Sequence, residues 1–218
     1  DPHFDTTLFA YDANGNLIQT TDPKGNVTAA SYFADGLVQT KTDALGNVTT
    51  FAYDSEGNLT TVTDALGNVT TSTYDGVGRR LTKTDALGHT TTWTYDANNN
   101  LLTVTDGLGN TTTHTYDAND KRISRTDALG HTTSYWYDQK DLLTQVTDAL
   151  GIATQHTYDL LDRKLSTTDA NAHTTTFTYD EVGNLIEERN ATDVRNITDR
   201  YTYDAQNRLV EEAVDAQI

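Results

Sequence analysis

The sequence predicts an all-β fold: tandem 21-residue β-hairpin repeats forming one long antiparallel sheet that coils into a spiral, a solenoid or a hollow shell. Three observations carry that expectation. Tyr11, Tyr32, Tyr53, Tyr74, Tyr95, Tyr116, Tyr137, Tyr158 and Tyr179 follow one another at a spacing of 21 without exception. Each interval holds two short runs of Thr, Val and aromatic residues, the length and composition of strands. Each run ends in a turn signal, and self-similarity at a fixed period marks a repeat architecture.

The first turn of each repeat follows the Tyr. Asp12, Asp54, Asp75, Asp96, Asp117, Asp138, Asp159, Asp180 and Asp204 open it, with Phe33 as the exception. Four residues after each Tyr stand Gly15, Gly36, Gly57, Gly78, Asn99, Asp120, Asp141, Asp162, Gly183 and Asn207. Gly, Asn and Asp tolerate φ > 0, so this position is predicted left-handed in all ten repeats. The position before it accepts Val77, Leu161 and Val182. A two-residue I′ turn would strain them, which favours a type I turn closed by a bulge residue.

The second turn follows the same grammar. Asp22, Asp43, Asp64, Asp85, Asp106, Asp127, Asp148, Asp169 and Asp193 open it, and Gly25, Gly46, Gly67, Gly88 and Gly130 close copies of it. Eighteen of the 26 Asp occupy these two positions, where a carboxylate accepts backbone N–H bonds. The net charge of −17 and pI near 4.4 are therefore turn chemistry.

A bulged register places each Tyr on one face with the residues two before and six after it. The first of these reads Phe9, Ala30, Phe51, Ser72, Trp93, His114, Tyr135, His156, Phe177. Bulky and slim residues alternate, so a period of 42 underlies the period of 21. Nine of the fifteen basic residues fall in the even repeats, and Arg80 and Arg122 are placed to stack on neighbouring Tyr. Both faces read as Thr-rich and moderately polar, which suits a hollow shell better than a packed sandwich. Tyr203 arrives three residues late, placing an insertion within 187–192. Leu45, Leu66, Leu87, Leu108, Leu129 and Leu150 sit at the tip of the second turn, where they are expected to pack against the next coil or an adjoining segment.

Composition excludes several function classes. The acidic balance argues against an electrostatic nucleic-acid binder. No apolar run approaches the roughly 18 residues of a membrane span. There is no Cys, so disulfides and thiolate zinc sites are excluded. The whole of 1–218 reads as a single array of about ten repeats. With no Met and an opening Asp1-Pro2, it is expected to be a fragment or mature piece of a larger protein.

The Y-D-x-x-G-N/R-L … T-D-A-L-G-N pattern at period 21 resembles the RHS/YD-repeat family, which includes bacterial Rhs polymorphic toxins, Tc toxin B and C components and teneurins. The resemblance covers Thr6 to Val214. It implies a β-strip spiralling into a hollow shell around a toxic C-terminal polypeptide, in a secreted, extracellular or cell-surface bacterial protein. The family's self-cleaving D-P-x-G-L-type motif has no counterpart, since Asp22-Pro23-Lys24-Gly25 is a repeat turn. A segment of this kind neither closes around cargo nor processes it by itself.

Candidate chemistry is weighed against that grammar. Eighteen equivalent Asp offer no pair whose environments would split their pKa values, so no catalytic residue is predicted. His89, His131 and His173 are 42 apart, as are His114 and His156. A metal ladder is conceivable, but substitution within the repeat is the simpler account. Asp12-Ala13-Asn14-Gly15-Asn16 departs from a calcium loop, whose Gly falls later and whose twelfth ligand is Glu. No cofactor is predicted, with weak calcium binding by turn Asp left open. The reading is a non-enzymatic scaffold, a segment of a shell that encloses or displays a toxin or effector region. Its partners are other repeats of the same protein and an enclosed C-terminal toxin. The alternatives are an extracellular fibre or adhesin built of stacked repeats, with identical chains as partners, and a glycan-binding surface that depends on exposed aromatics.

Overall fold

The computed structural model describes residues 6–191 and 196–217. They form two units, 1–111 and 112–218, dividing one residue into the eleventh strand. Among the described residues every regular element is a strand.

The first unit holds β1 (Leu8–Tyr11), β2 (Leu17–Thr21), β3 (Val27–Tyr32), β4 (Val38–Thr42), β5 (Val48–Tyr53), β6 (Leu59–Thr63), β7 (Val69–Tyr74), β8 (Arg80–Thr84), β9 (Thr90–Tyr95) and β10 (Leu101–Thr105). Each pairs antiparallel with its chain neighbour in that order. The second unit holds β11 (Thr111–Tyr116), β12 (Arg122–Thr126), β13 (Thr132–Tyr137), β14 (Leu143–Thr147), β15 (Ala153–Tyr158), β16 (Lys164–Thr168), β17 (Thr174–Tyr179), β18 (Leu185–Ala191), β19 (Asn196–Tyr203) and β20 (Leu209–Gln217). It repeats the same order of neighbours. The predicted all-β array of hairpins is what each unit contains.

The two hairpin types differ in register. After a Tyr-Asp turn, Tyr53 pairs with Leu59 but Ala52 pairs with Thr61, so Thr60 is an extra residue and the strand is bulged. Across a Thr-Asp turn, Thr61↔Thr71, Val62↔Thr70 and Thr63↔Val69 run without a shift. Both turns are closed alike: Gly57 N–H donates to Asp54 C=O at 3.1 Å and Asp54 N–H to Asn58 C=O at 3.0 Å. All ten positions predicted left-handed have positive φ, from 59° at Asn207 to 101° at Gly183. Ala172 takes the same conformation with φ 66° in a second turn, without the side-chain chemistry that usually tolerates it.

The three extra residues that make Tyr203 late fall in the β18–β19 hairpin, where the insertion within 187–192 was expected. Strands β18 and β19 have 7 and 8 residues, where β16 and β17 have 5 and 6. Four residues separate the longer pair and five the shorter. Two residues added to each arm and one removed from the connection account for the three. The expected turn residue Asp193 lies outside the described residues.

Among the described residues neither unit has a core, and none of those residues is buried. The chain exposes 14594 Å², against roughly 9,900 Å² for a globular monomer of its mass. Stability therefore comes from nearest-neighbour contacts between hairpins, as in other repeat arrays.

Candidate functional surface

The repeat's Asp forms a clasp. In a Tyr-Asp turn, Asp54 Oδ1 accepts from the backbone N–H of Glu56 at 3.1 Å and of Asn58 at 2.8 Å, while Oδ2 accepts from the Asn58 side-chain amide at 3.0 Å. In a Thr-Asp turn, Asp64 takes the same three donors from Leu66 and Asn68, at 2.9, 2.9 and 2.8 Å. Asp12, Asp43, Asp96 and Asp180 repeat the arrangement through Asn16, Asn47, Asn100 and Asn184. Donation by the Asn amide, then by backbone N–H, holds the carboxyls of Asp43 and Asp64 below the usual carboxylate range. They stay charged and fully engaged.

Other residues enter the clasp in place of Asn. His89, His131 and His173 each set Nδ1 3.0 Å from the carboxylate of Asp85, Asp127 or Asp169, so the histidines 42 apart are substitutions within the turn. No group of three metal-ligating side chains forms among the described residues. Arg79 and Arg163 donate Nε at 2.7 Å to Asp75 and Asp159. Their Nη1 then reaches the next hairpin, at the backbone carbonyl of Asp96 (2.9 Å) or Asp180 (3.2 Å), with the guanidinium 4.9 and 4.8 Å from the ring centres of Tyr95 and Tyr179. Asp117 and Asp138 hold the same turn position, each accepting two backbone N–H bonds. Phe33 shows what remains without a carboxylate: its backbone closes the turn, and its ring meets Tyr53 edge-on at 6.2 Å.

The Tyr column is a staple between repeats. Tyr74 Oη donates at 2.9 Å to the carbonyl of Leu59, 15 residues earlier and beside the preceding bulge. Tyr32, Tyr95, Tyr137, Tyr158 and Tyr179 reach Leu17, Arg80, Arg122, Leu143 and Lys164 in the same way. Across the three-residue insertion the staple persists, from Tyr203 to Leu185 at 3.0 Å. Tyr11 is exposed, and Tyr116 ends β11 at the equivalent strand position. The predicted Tyr and turn residues thus meet pairwise along the array, not at one point. Sequence inspection missed the Oη acceptor and the donor four residues after each Asp. The recurrence of Asn, Arg or His at that place was the available signal.

The faces are unlike, contrary to the expectation of two moderately polar ones. One pairs Thr50 with Thr63 and Ala52 with Thr61, and its hydroxyls share cross-strand hydrogen bonds: Thr73–Thr82 at 2.7 Å, Thr84–Thr90 at 2.8 Å, Thr115–Ser124 at 2.6 Å. The other pairs Phe51 with Val62 and Tyr53 with Leu59 and carries the strand cations of the even repeats, Lys41, Arg80, Lys83, Arg122, Arg125 and Lys164. There Arg80 lies 5.7 Å from the Tyr74 ring and Arg122 4.8 Å from the Tyr135 ring, as expected. Burial, reinforced by Arg122 and Arg125, pushes the His114 imidazole down from its usual value.

The second-turn leucines contradict their predicted role. Leu45 and Leu66 are 88% exposed, and Leu87, Leu108, Leu129 and Leu150 nearly as much, so nothing among the described residues covers them. The type I turn aims its third residue outward, away from the sheet that could have packed it.

The sequence matches the family described as RHS Repeat over residues 5–29, 32–69, 53–90, 74–111, 95–132, 116–151, 137–174 and 179–217. No curated protein matches it. The structure is similar to a Tc holotoxin pore of Photorhabdus luminescens (TM-score 0.57, 16% identity, 97% of this chain and 17% of that one). It is also similar to the crystal structures of TcdB2-TccC3-TEV (TM-score 0.58, 17% identity, 96% of this chain, 16% of that chain) and TcdB2-TccC3-Cdc42 (TM-score 0.57, 16% identity, 96% and 16%). The chain spans about a sixth of the length of each.

Proposed function

The chain belongs to the RHS-repeat family, and on that premise we propose that it is a non-enzymatic wall segment of a secreted bacterial RHS shell that encloses or displays a toxin or effector polypeptide. One observation carries the reading. The most regular polar groups of the repeat, the turn carboxylates and Tyr hydroxyls, are spent on closing turns and stapling neighbours. A catalytic group needs an environment set apart from its neighbours, and these share one environment. The partners are further repeats of the same longer protein and the polypeptide they enclose. No cofactor enters the reading, and the turn carboxylates a calcium ion would need already accept two or three protein donors each.

Electron microscopy of the full-length natural protein tests it. Closed capsules of limited size, with a protease-resistant polypeptide inside, are the expected result. Indefinite fibres with an axial repeat would replace the shell by a fibre or adhesin.

A further inference from the structure

In the first unit, charge is sorted by position. None of the ten strands contains Asp or Glu, whereas Lys41, Arg80 and Lys83 stand on strands. Among the described residues of this unit, Arg79 is the Lys or Arg that pairs with a carboxylate; these three cations do not. Lys41 and Lys83 lie directly opposite the slim Ala30 and Ser72. The bulky alternates Phe51 and Trp93 rise in the next hairpins, with Lys41 5.9 Å from the Phe51 ring and Arg80 5.9 Å from that of Trp93. At Ser72 this alternation leaves a hollow of about 270 Å³, walled by Leu59, Val62 and Thr70 and bordered by Arg80 and Lys83. It is larger than a leucine side chain.

The Thr-Asp turns present the complementary shape. Leu45, Leu66, Leu87 and Leu108 are 82–88% exposed, each two residues after a turn Asp. Asp43, Asp64, Asp85 and Asp106 are held in the charged form by their clasps. An apolar knob beside a negative charge therefore matches an apolar hollow beside two cations that meet no carboxylate among the described residues. Both features belong to the same chain, where the leucines stay exposed and the two cations meet aromatic rings or solvent in place of a carboxylate.

We propose that the Asp-Ala-Leu-Gly turns of one copy seat on the aromatic face of a second copy, a turn leucine filling the hollow at Ser72 and the turn carboxylate facing Arg80 and Lys83. The contact is heterologous: each copy keeps a free set of turns and a free face, so association is open-ended unless geometry closes it. Long-range attraction between acidic turns and a cationic face makes the contact sensitive to salt. This inference does not rest on the shell reading, since capsules and fibres alike could use the contact.

Sedimentation velocity on the 218-residue chain tests it. The expected result is a sedimentation coefficient that rises with protein concentration at about 20 mM salt and much less at about 500 mM. One variant fills the hollow and removes its charge (Ser72→Phe, Arg80→Gln, Lys83→Gln); Phe occupies the equivalent strand position at Phe51. Another removes the knobs (Leu45, Leu66, Leu87, Leu108, Leu129 and Leu150, each →Ser). Each alone should weaken association about tenfold or more, with a melting curve showing that it folds. Mixed together, they should form mixed complexes of limited size that grow no further. A wild-type chain that stays monomeric at every concentration and both salts overturns the proposal. So does association that survives loss of the knobs, or a mixture that forms no mixed complexes.

Discussion

The two kinds of turn begin from the same clasped Asp and end differently. Tyr-Asp turns are tied to their neighbours: a Tyr hydroxyl crosses to the preceding repeat, and Arg79 and Arg163 reach the following one. Thr-Asp turns are self-contained, and they raise a leucine into solvent. The bulge makes the difference, because its irregular register leaves a carbonyl for the Tyr to bind. With no core among the described residues, one edge supplies cohesion between repeats and the other leaves its leucines exposed.

The comparison can be broken at several points. Gly57→Val is expected to cost most, about 2 kcal/mol, because φ is +84° there and a β-branched residue opposes it, although its Cβ would meet Leu37 Cδ1 at an ordinary 3.7 Å. A melting temperature equal to wild type would contradict the left-handed turn. Gly107→Ala comes next, at over 1 kcal/mol, since its Cβ would lie 2.6 Å from that of His89 in the adjacent Thr-Asp turn. This is a close approach absent at the other second-turn glycines, and urea unfolding of both alanine and wild-type chains would measure it. Tyr74→Phe should lose about 1 kcal/mol, the hydroxyl's bond to Leu59. Leu66→Ser, on the self-contained turn, should change stability by less than about 0.5 kcal/mol. Equal losses in that last pair would erase the distinction between the edges. Calcium at millimolar concentration should have the smallest effect, leaving Tm unchanged in differential scanning calorimetry.

Much of this was legible from residue chemistry. Gly, Asn and Asp at one position in ten repeats announced φ > 0, because few other residues accept it. The Tyr period announced the hairpins. What stayed hidden depends on relations between repeats. The acceptor of Tyr74 Oη is a carbonyl, which carries no sequence signature. The exposed Leu66 looked like a packing residue because apolarity is visible in sequence and the direction of a turn is not. The late Tyr203 fixed the size of the insertion but not its division between β18 and β19.

The central claim is that the acids fasten turns. In the fold, hydrogen bonds depress the carboxyls of Asp12, Asp22, Asp43, Asp54, Asp64 and Asp106 below their ordinary value of 3.8. The unfolded chain then binds more protons in acid, so the stability they confer is complete above that value and fades as pH falls through the folded ones. Carboxylate-detected NMR titration measures this directly, residue by residue. The account predicts that these six titrate together, all below 3.8, with unfolding following at the same acid pH. One carboxyl among them titrating alone, well above the rest, would contradict it.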